Sequence, residues 1–207
     1  MTDYTTTAAV KRQLEIGQGG VPNDYDDDLL AVYVTEASQL IATECRRSFS
    51  ETVGTLFYDS GWPVTENNIL YFDQDWLGVD AISNGENGTL NANDYRLLPL
   101  HLSGAKYALQ LLPSSNAAWT VGNNGYAQNA ICVIGTTGYC LSANRPADIT
   151  LAATKLAAWL YQNRNNDGSG VQFADGSVSI PASAPTFVLR TIQKYVRRVA
   201  MADPNHA

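Results

Sequence analysis

GTTGYCLSANRPADITLAATKLAAWLYQNR, residues 135–164, decides how the rest of the chain is read. It runs from a glycine-punctuated strand end through a short polar loop into a long helix. Asn144 and Pro146 sit where a helix start wants them, Pro at the first turn supplying a preset φ and needing no N–H partner. Ile149, Ala152, Leu156, Trp159 and Leu160 then recur near one face until NRNNDGSG (163–170) breaks the period. The helix is well specified and carries almost no catalytic chemistry.

Upstream of it the period is two. ETVGTLFYDS, NILYFD, DAIS, YRLLPL, YALQLL and AICVIG are short, aromatic or β-branched, and separated by turn formers such as Asn84-Gly85, Asn87-Gly88 and Asn123-Asn124-Gly125. Closely spaced strands of this kind predict a small antiparallel sheet or sandwich, not βαβ units. Gly-x-Gly-x-x-Gly before a helix does not occur, so no dinucleotide or P-loop site is expected.

Further upstream, Thr5-Thr6-Thr7 offers hydroxyls to cap a short helix reaching about Ile16, which Gly17, Gly19 and Gly20 stop. Leu30, Val34, Ala37, Ile41 and Cys45 mark a longer second helix. The acids before it (Asp24, Asp26, Asp27, Asp28) alternate like a calcium loop. Leu29 and Thr35, however, stand where such a loop needs glycine and glutamate, so cap and dipole stabilisation explains them without a metal.

Beyond residue 164, a Gly/Ser/Asn-rich stretch, 165–184, reads as a flexible arm. It is followed by PTFVLRTIQKYVRRVAM (185–201), which places Val188, Ile192, Tyr195 and Val199 on one face and Arg190, Lys194, Arg197 and Arg198 on the other. A solvated basic face is one reading. The other is a docking helix, which the arm lets leave its own core to lie in a partner's groove.

The fold class expected is therefore α+β. A helical core takes a short N-terminal helix, a long second helix (both within 1–49) and two C-terminal helices (141–200). An antiparallel β-rich lobe (50–140) is inserted into it, and 201–207 is a tail.

Charge is uneven as well as negative. The chain of 207 residues carries a net −7, yet residues 48–95 hold eight acids and no base, while 185–201 hold four bases and no acid. An acidic surface repels phosphate, so any nucleic-acid contact would be local. Three cysteines (Cys45, Cys132, Cys140) without CxxC spacing give neither a disulfide framework nor a zinc site and read as reduced core thiols. The N-terminus has no apolar run like a signal peptide, and no segment has the ~18 apolar residues of a membrane span.

Catalysis finds little to work with. His101 and His206 are the two histidines, the second near the end of the chain, and neither accompanies a nucleophile motif. The acidic, aromatic middle (Trp62, Tyr71, Phe72, Asp73, Asp75, Trp76) admits a carbohydrate-binding module, and after it a glycoside-type hydrolase with two carboxylates. An ordinary sheet with one solvated face has the same composition. No catalytic, cofactor or metal residue is assigned.

TTAAVKRQLEI (6–16), DDDLLAVYVTEASQLIATECRRSF (26–49), NDYRLLP (93–99), AICVIGTTGYC (130–140) and RPADITLAATKLAAWLYQNR (145–164), taken in order, are similar to the head-tail connector (adaptor, head-completion) proteins of tailed bacteriophages and gene-transfer particles. The resemblance spans about residues 5–200. Its turn is matched by Val133, Gly135, Gly138 and Tyr139, and its Pro-x-Asp-Ile helix start by Pro146, Asp148 and Ile149. It implies a non-enzymatic ring beneath the portal of a DNA-filled head, with twelve copies, in a virion assembled in the host cytoplasm. The partners it implies are the portal protein, neighbouring copies and the next neck or tail-completion protein. It also implies that Arg190, Lys194, Arg197 and Arg198 meet acidic portal groups or line the path of DNA in the central channel.

Overall fold

The computed structural model describes residues 2–16, 26–61, 65–66, 68–100, 104–164, 180 and 182–197. It is α+β. The elements are α1 (Thr7–Ile16), α2 (Asp27–Cys45), β1 (Thr52–Tyr58), β2 (Thr65–Glu66), β3 (Ile69–Asn84), β4 (Tyr95–Leu98), β5 (Lys106–Leu111), β6 (Ile131–Thr137), α3 (Ala147–Gln162) and α4 (Thr186–Tyr195). Two compact units contain them: Met1–Phe49 with Ser142–Arg197, and Ser50–Leu141.

In the helical unit, α1 opens under Thr6, whose Oγ1 accepts the Ala9 N–H at 3.2 Å. α2 opens under Asp26, whose Oδ1 accepts the Leu29 N–H at 3.0 Å, with Asp27 and Asp28 in the first turn facing the positive end of the dipole. Lys11 of α1 pairs with Asp27. α2 ends without a glycine: Arg46 takes the left-handed conformation (φ 51°), and Arg47 N–H reaches back to Ala42 O at 3.0 Å, closing the last turn. α3 packs against α1, α2 and α4. Its buried Ile149, Ala152, Leu156 and Ala157 meet a core that includes Val10, Leu14, Leu30, Val34, Ile41, Val188 and Ile192. The alanines let the helices approach closely while the branched side chains fill the space between them.

α4 differs from its expectation. It stops at Tyr195 because Val196 turns to extended backbone (ψ 127°) and Arg197 donates its N–H to Cys45 O at 2.9 Å. Nor does it stand free: Val188 and Ile192 are buried within the helical unit. The arm of 165–184 falls mostly outside the described residues, but Ile180 N–H donates to Glu44 Oε1 at 3.1 Å and Ala184 is buried. The tail 201–207 lies outside them too.

The other unit is one antiparallel sheet, ordered β1-β6-β3-β5-β4, with β2 paired to β3. NILYFD and DAIS, read as separate strands, are one 16-residue β3 that bends through register shifts between Tyr71 and Trp76, Trp76 and Gly78, and Val79 and Ala81. The shifts absorb the glycine and acids that look like a turn in sequence. One sheet face holds the core: Tyr58, Leu70, Phe72, Trp76, Ile82, Leu109, Leu111, Ile131 and Val133. Ala117 and Trp119 pack on this core. Their loop is fastened by Asn84, which donates to Ala118 O (2.8 Å) and accepts from Thr120 N–H (3.2 Å), while Thr120 Oγ1 donates to Asn84 O (2.6 Å). The core thus forms on one face of a single sheet, not between two sheets of a sandwich.

Candidate functional site

Of the four bases expected on one helix face, the three that are described do not form a stripe. Arg190 is exposed on α4. Lys194 donates to Asp148 Oδ2 at 2.7 Å, and Tyr195 Oη donates to Asp148 Oδ1 at 2.9 Å, so one carboxylate on α3 fastens the last turn of α4. Arg197 is beyond the helix and buried, at 7% exposure. Arg198 lies outside the described residues. Early termination of α4 breaks the spacing that placed Arg197 beside Lys194.

The Asp148 pin has a defined electrostatic character. Partial burial pushes its carboxyl up, but the hydrogen bonds from Lys194 and Tyr195, with the Lys194 charge, outweigh this and hold it below the usual range. The hydrogen bond to Asp148 raises Lys194 in turn. Sequence reading placed Asp148 at a helix start without its partner 46 positions away. An acid in a first turn is already explained by the helix dipole, which hides a second role.

Beside the pin lies an aromatic cluster that the sequence did not announce. Phe49 makes edge contacts with Tyr4 and Tyr195, each at 5.6 Å between ring centroids. Arg145 stacks 4.7 Å from the Tyr4 centroid and donates to Phe49 O (3.0 Å) and Asp3 O (3.1 Å). Tyr4 Oη accepts the Phe49 N–H at 3.0 Å, and Tyr4 N–H donates to Ser38 Oγ at 2.9 Å. Residues from four separate chain segments (3–4, 38–49, 145 and 195) thereby fix the end of α2 and the start of α3. Cys45, within this core, has its thiol pushed up to about 12 by burial and is chemically quiet. Cys132 and Cys140 are half-buried and in no disulfide, not core residues as expected.

The turn residues have geometric reasons. A Cβ on Gly135 would come within 2.3 Å of Gly78 O, where β6 and a shifted part of β3 approach closely. Gly138 has φ +125°, and a Cβ there would lie 2.5 Å from Ser50 O. Tyr139 after it is half-buried. Pro146 is the residue before α3, not inside its first turn. It brings no side-chain cap; its carbonyl accepts from Ile149 and Thr150.

Among the described residues, Phe72 and Trp76 of the aromatic middle are not available as a sugar platform. Phe72 and Trp76 are fully buried. Trp76 Nε1 donates to Tyr58 Oη at 3.1 Å, and Tyr58 donates to Asp73 Oδ1 at 3.0 Å, a chain of bonds that runs from the sheet core out to an exposed carboxylate. Trp62, His101 and His206 lie outside the described residues. Among the described residues, no group of three or more His, Cys, Asp or Glu is placed to hold a metal ion, and no helix is long and apolar enough to cross a membrane.

Solved structures share this arrangement. A chain from the neck of an empty gene transfer agent particle, computed with C6 symmetry, matches over 94% of this chain and 91% of its own, with TM-score 0.57 and 16% identity. A chain from the virion of the native gene transfer agent particle matches over the same shares, with TM-score 0.58 and 18% identity. A third, from the native neck computed with C12 symmetry, matches over 96% and 97%, with TM-score 0.52 and 16% identity. The chain has the fold of gene transfer agent neck chains. No family model and no curated protein matches the sequence. The likeness lies in the three-dimensional arrangement and runs nearly end to end in both partners.

Proposed function

We propose that this chain is a structural, non-enzymatic adaptor of a phage-type neck, forming a ring under the portal and joining the DNA-filled head to the tail or the next neck protein. The observation that carries the reading is the end-to-end fold match to chains of particle necks handled with C6 and C12 symmetry. Rotational assemblies of one chain need a heterologous contact that closes, and twelve copies suit the higher of those symmetries. In this reading the core of 1–49 and 141–200 carries the inserted lobe of 50–140, and the work is adhesion. Locking α2, α3 and α4 through Asp148 and Arg145 gives the rigidity that a ring subunit needs.

The protein resides in the virion at the head-tail junction. Its surfaces meet the portal, the neighbouring copy and the next neck or tail-completion protein. Arg190, with Lys194 and Arg198, serves the portal or the DNA path, whereas Arg197 is buried and its part is to hold the chain after α4.

The test uses assembled particles. Heads made without the chain should package DNA and fail to join tails, and the purified chain should be captured by a portal ring; normal tailed particles in its absence would refute the adaptor role. Truncating α4 is not a clean probe, because Val188 and Ile192 belong to the core. Charge reversal at exposed Arg190 is. Arg190→Glu should weaken portal capture while leaving the melting temperature unchanged, and equal capture would remove Arg190 from that surface.

A further inference from the structure

Among the described residues, the β1–β6 end of the sheet leaves one face exposed. Strand alternation puts Val53, Thr55 and Phe57 of β1 beside Thr136, Ile134 and Cys132 of β6, each pair in register. Val53 is 74% exposed, Phe57 58% and Ile134 41%. Neither β1 (TVGTLFY) nor β6 (ICVIGTT) contains a charged residue.

β1 is also an end of the strand order, and the two ends are treated differently. β4, at the other end, carries Arg96 and is followed by Pro99, both devices that discourage a further strand. β1 has no charge, no proline and no bulge, and among the described residues it pairs with β6 alone. An unguarded apolar edge invites association.

Charge selects the occupant. Each copy carries a net −7, so copies repel, and like copies meet most readily where neither side brings charge. Nucleic acid would call for bases here, and a basic protein would call for acids. We propose that the β1–β6 face receives the neighbouring copy of this chain in the ring, an inference that rests on the adaptor reading. The contact is heterologous: β1 pairing with another β1 would be twofold and stop at two copies. The neighbour therefore offers a different apolar surface.

The experiment compares wild type, Phe57→Glu, Ile134→Glu and the conservative Phe57→Tyr as full chains, with copies per particle counted by quantitative mass spectrometry. Because the altered side chains are exposed, melting temperatures should match wild type and confirm folding. Each Glu variant should lower incorporation at least about tenfold, as for loss of a central contact residue, and Phe57→Tyr should restore it. Cys132 gives a second readout: its alkylation in wild-type particles should be at least about tenfold slower than in the free chain.

Wild type absent from particles would sink the adaptor reading itself. Wild type present, with both Glu variants incorporated equally and Cys132 equally reactive in particles, would leave that reading intact and overturn this one. Faster Cys132 alkylation in the free chain on deleting residues 198–207 would name the chain's own tail as the occupant and overturn it as well.

Discussion

The helical unit and the sheet unit solve burial in opposite ways. Around α3 the core is closed on several sides, and long-range bonds from Arg145, Asp148 and Ser38 tie together segments far apart in sequence. The sheet buries one face and leaves Val53, Phe57 and Ile134 in solvent on the other. The first is built to hold its shape alone. The second leaves an apolar strip open to solvent.

The comparison breaks most sharply inside the sheet. Trp76→Ala should cost about 3–5 kcal/mol by emptying the core, whereas Phe57→Ala on the open face should stay within about 0.5 kcal/mol. Chemical denaturation followed by tryptophan fluorescence would measure both. Near-equal losses would mean the outer face is covered within a single chain.

A middle-sized effect is expected at the turn. Gly138→Ala forces a side chain into φ +125° against Ser50 O, and should cost more than the ~1 kcal/mol of an ordinary left-handed residue. Thermal melting against Gly54→Ala, where a Cβ meets nothing within 4 Å, gives the contrast.

The smallest of the destabilising effects belongs to the helical unit. Asp148→Ala should cost about 1–2 kcal/mol, combining a partly exposed ion pair with the Tyr195 hydrogen bond. Its pH signature has a definite sign. The folded carboxyl is depressed, so its contribution is present above roughly pH 4 and lost as pH falls through the folded value; Lys194, raised, loses its contribution only above roughly pH 10. Acid unfolding should therefore be less steep in Asp148→Asn than in wild type, and identical slopes would deny the pin.

What the sequence disclosed follows the same division. α2 and α3 were legible because Leu30, Val34, Ile41 and Ile149, Leu156 repeat at helical spacing, and β1, β5 and β6 because their runs are short and bounded. β3 was not, since Asp73, Gly78 and Asp80 look like breaks until register shifts carry them through one bent strand. The end of α4 was illegible too: no Gly or Pro marks Val196, and the stop is set by Arg197 bonding to Cys45, about 150 residues away in the chain. The Asp148–Lys194 pair and the Tyr4–Phe49–Tyr195 cluster are likewise tertiary. No local period encodes them.

The sheet begins and ends at one place: Thr52 pairs with Thr137, and Gly138 sits against Ser50. Entry and exit strands that are side by side make the whole segment a cassette, removable at a single splice point where a short bridge of a few residues can rejoin the chain. Because both ends of the segment leave from one spot, a change in its length leaves the path of the helices unaltered.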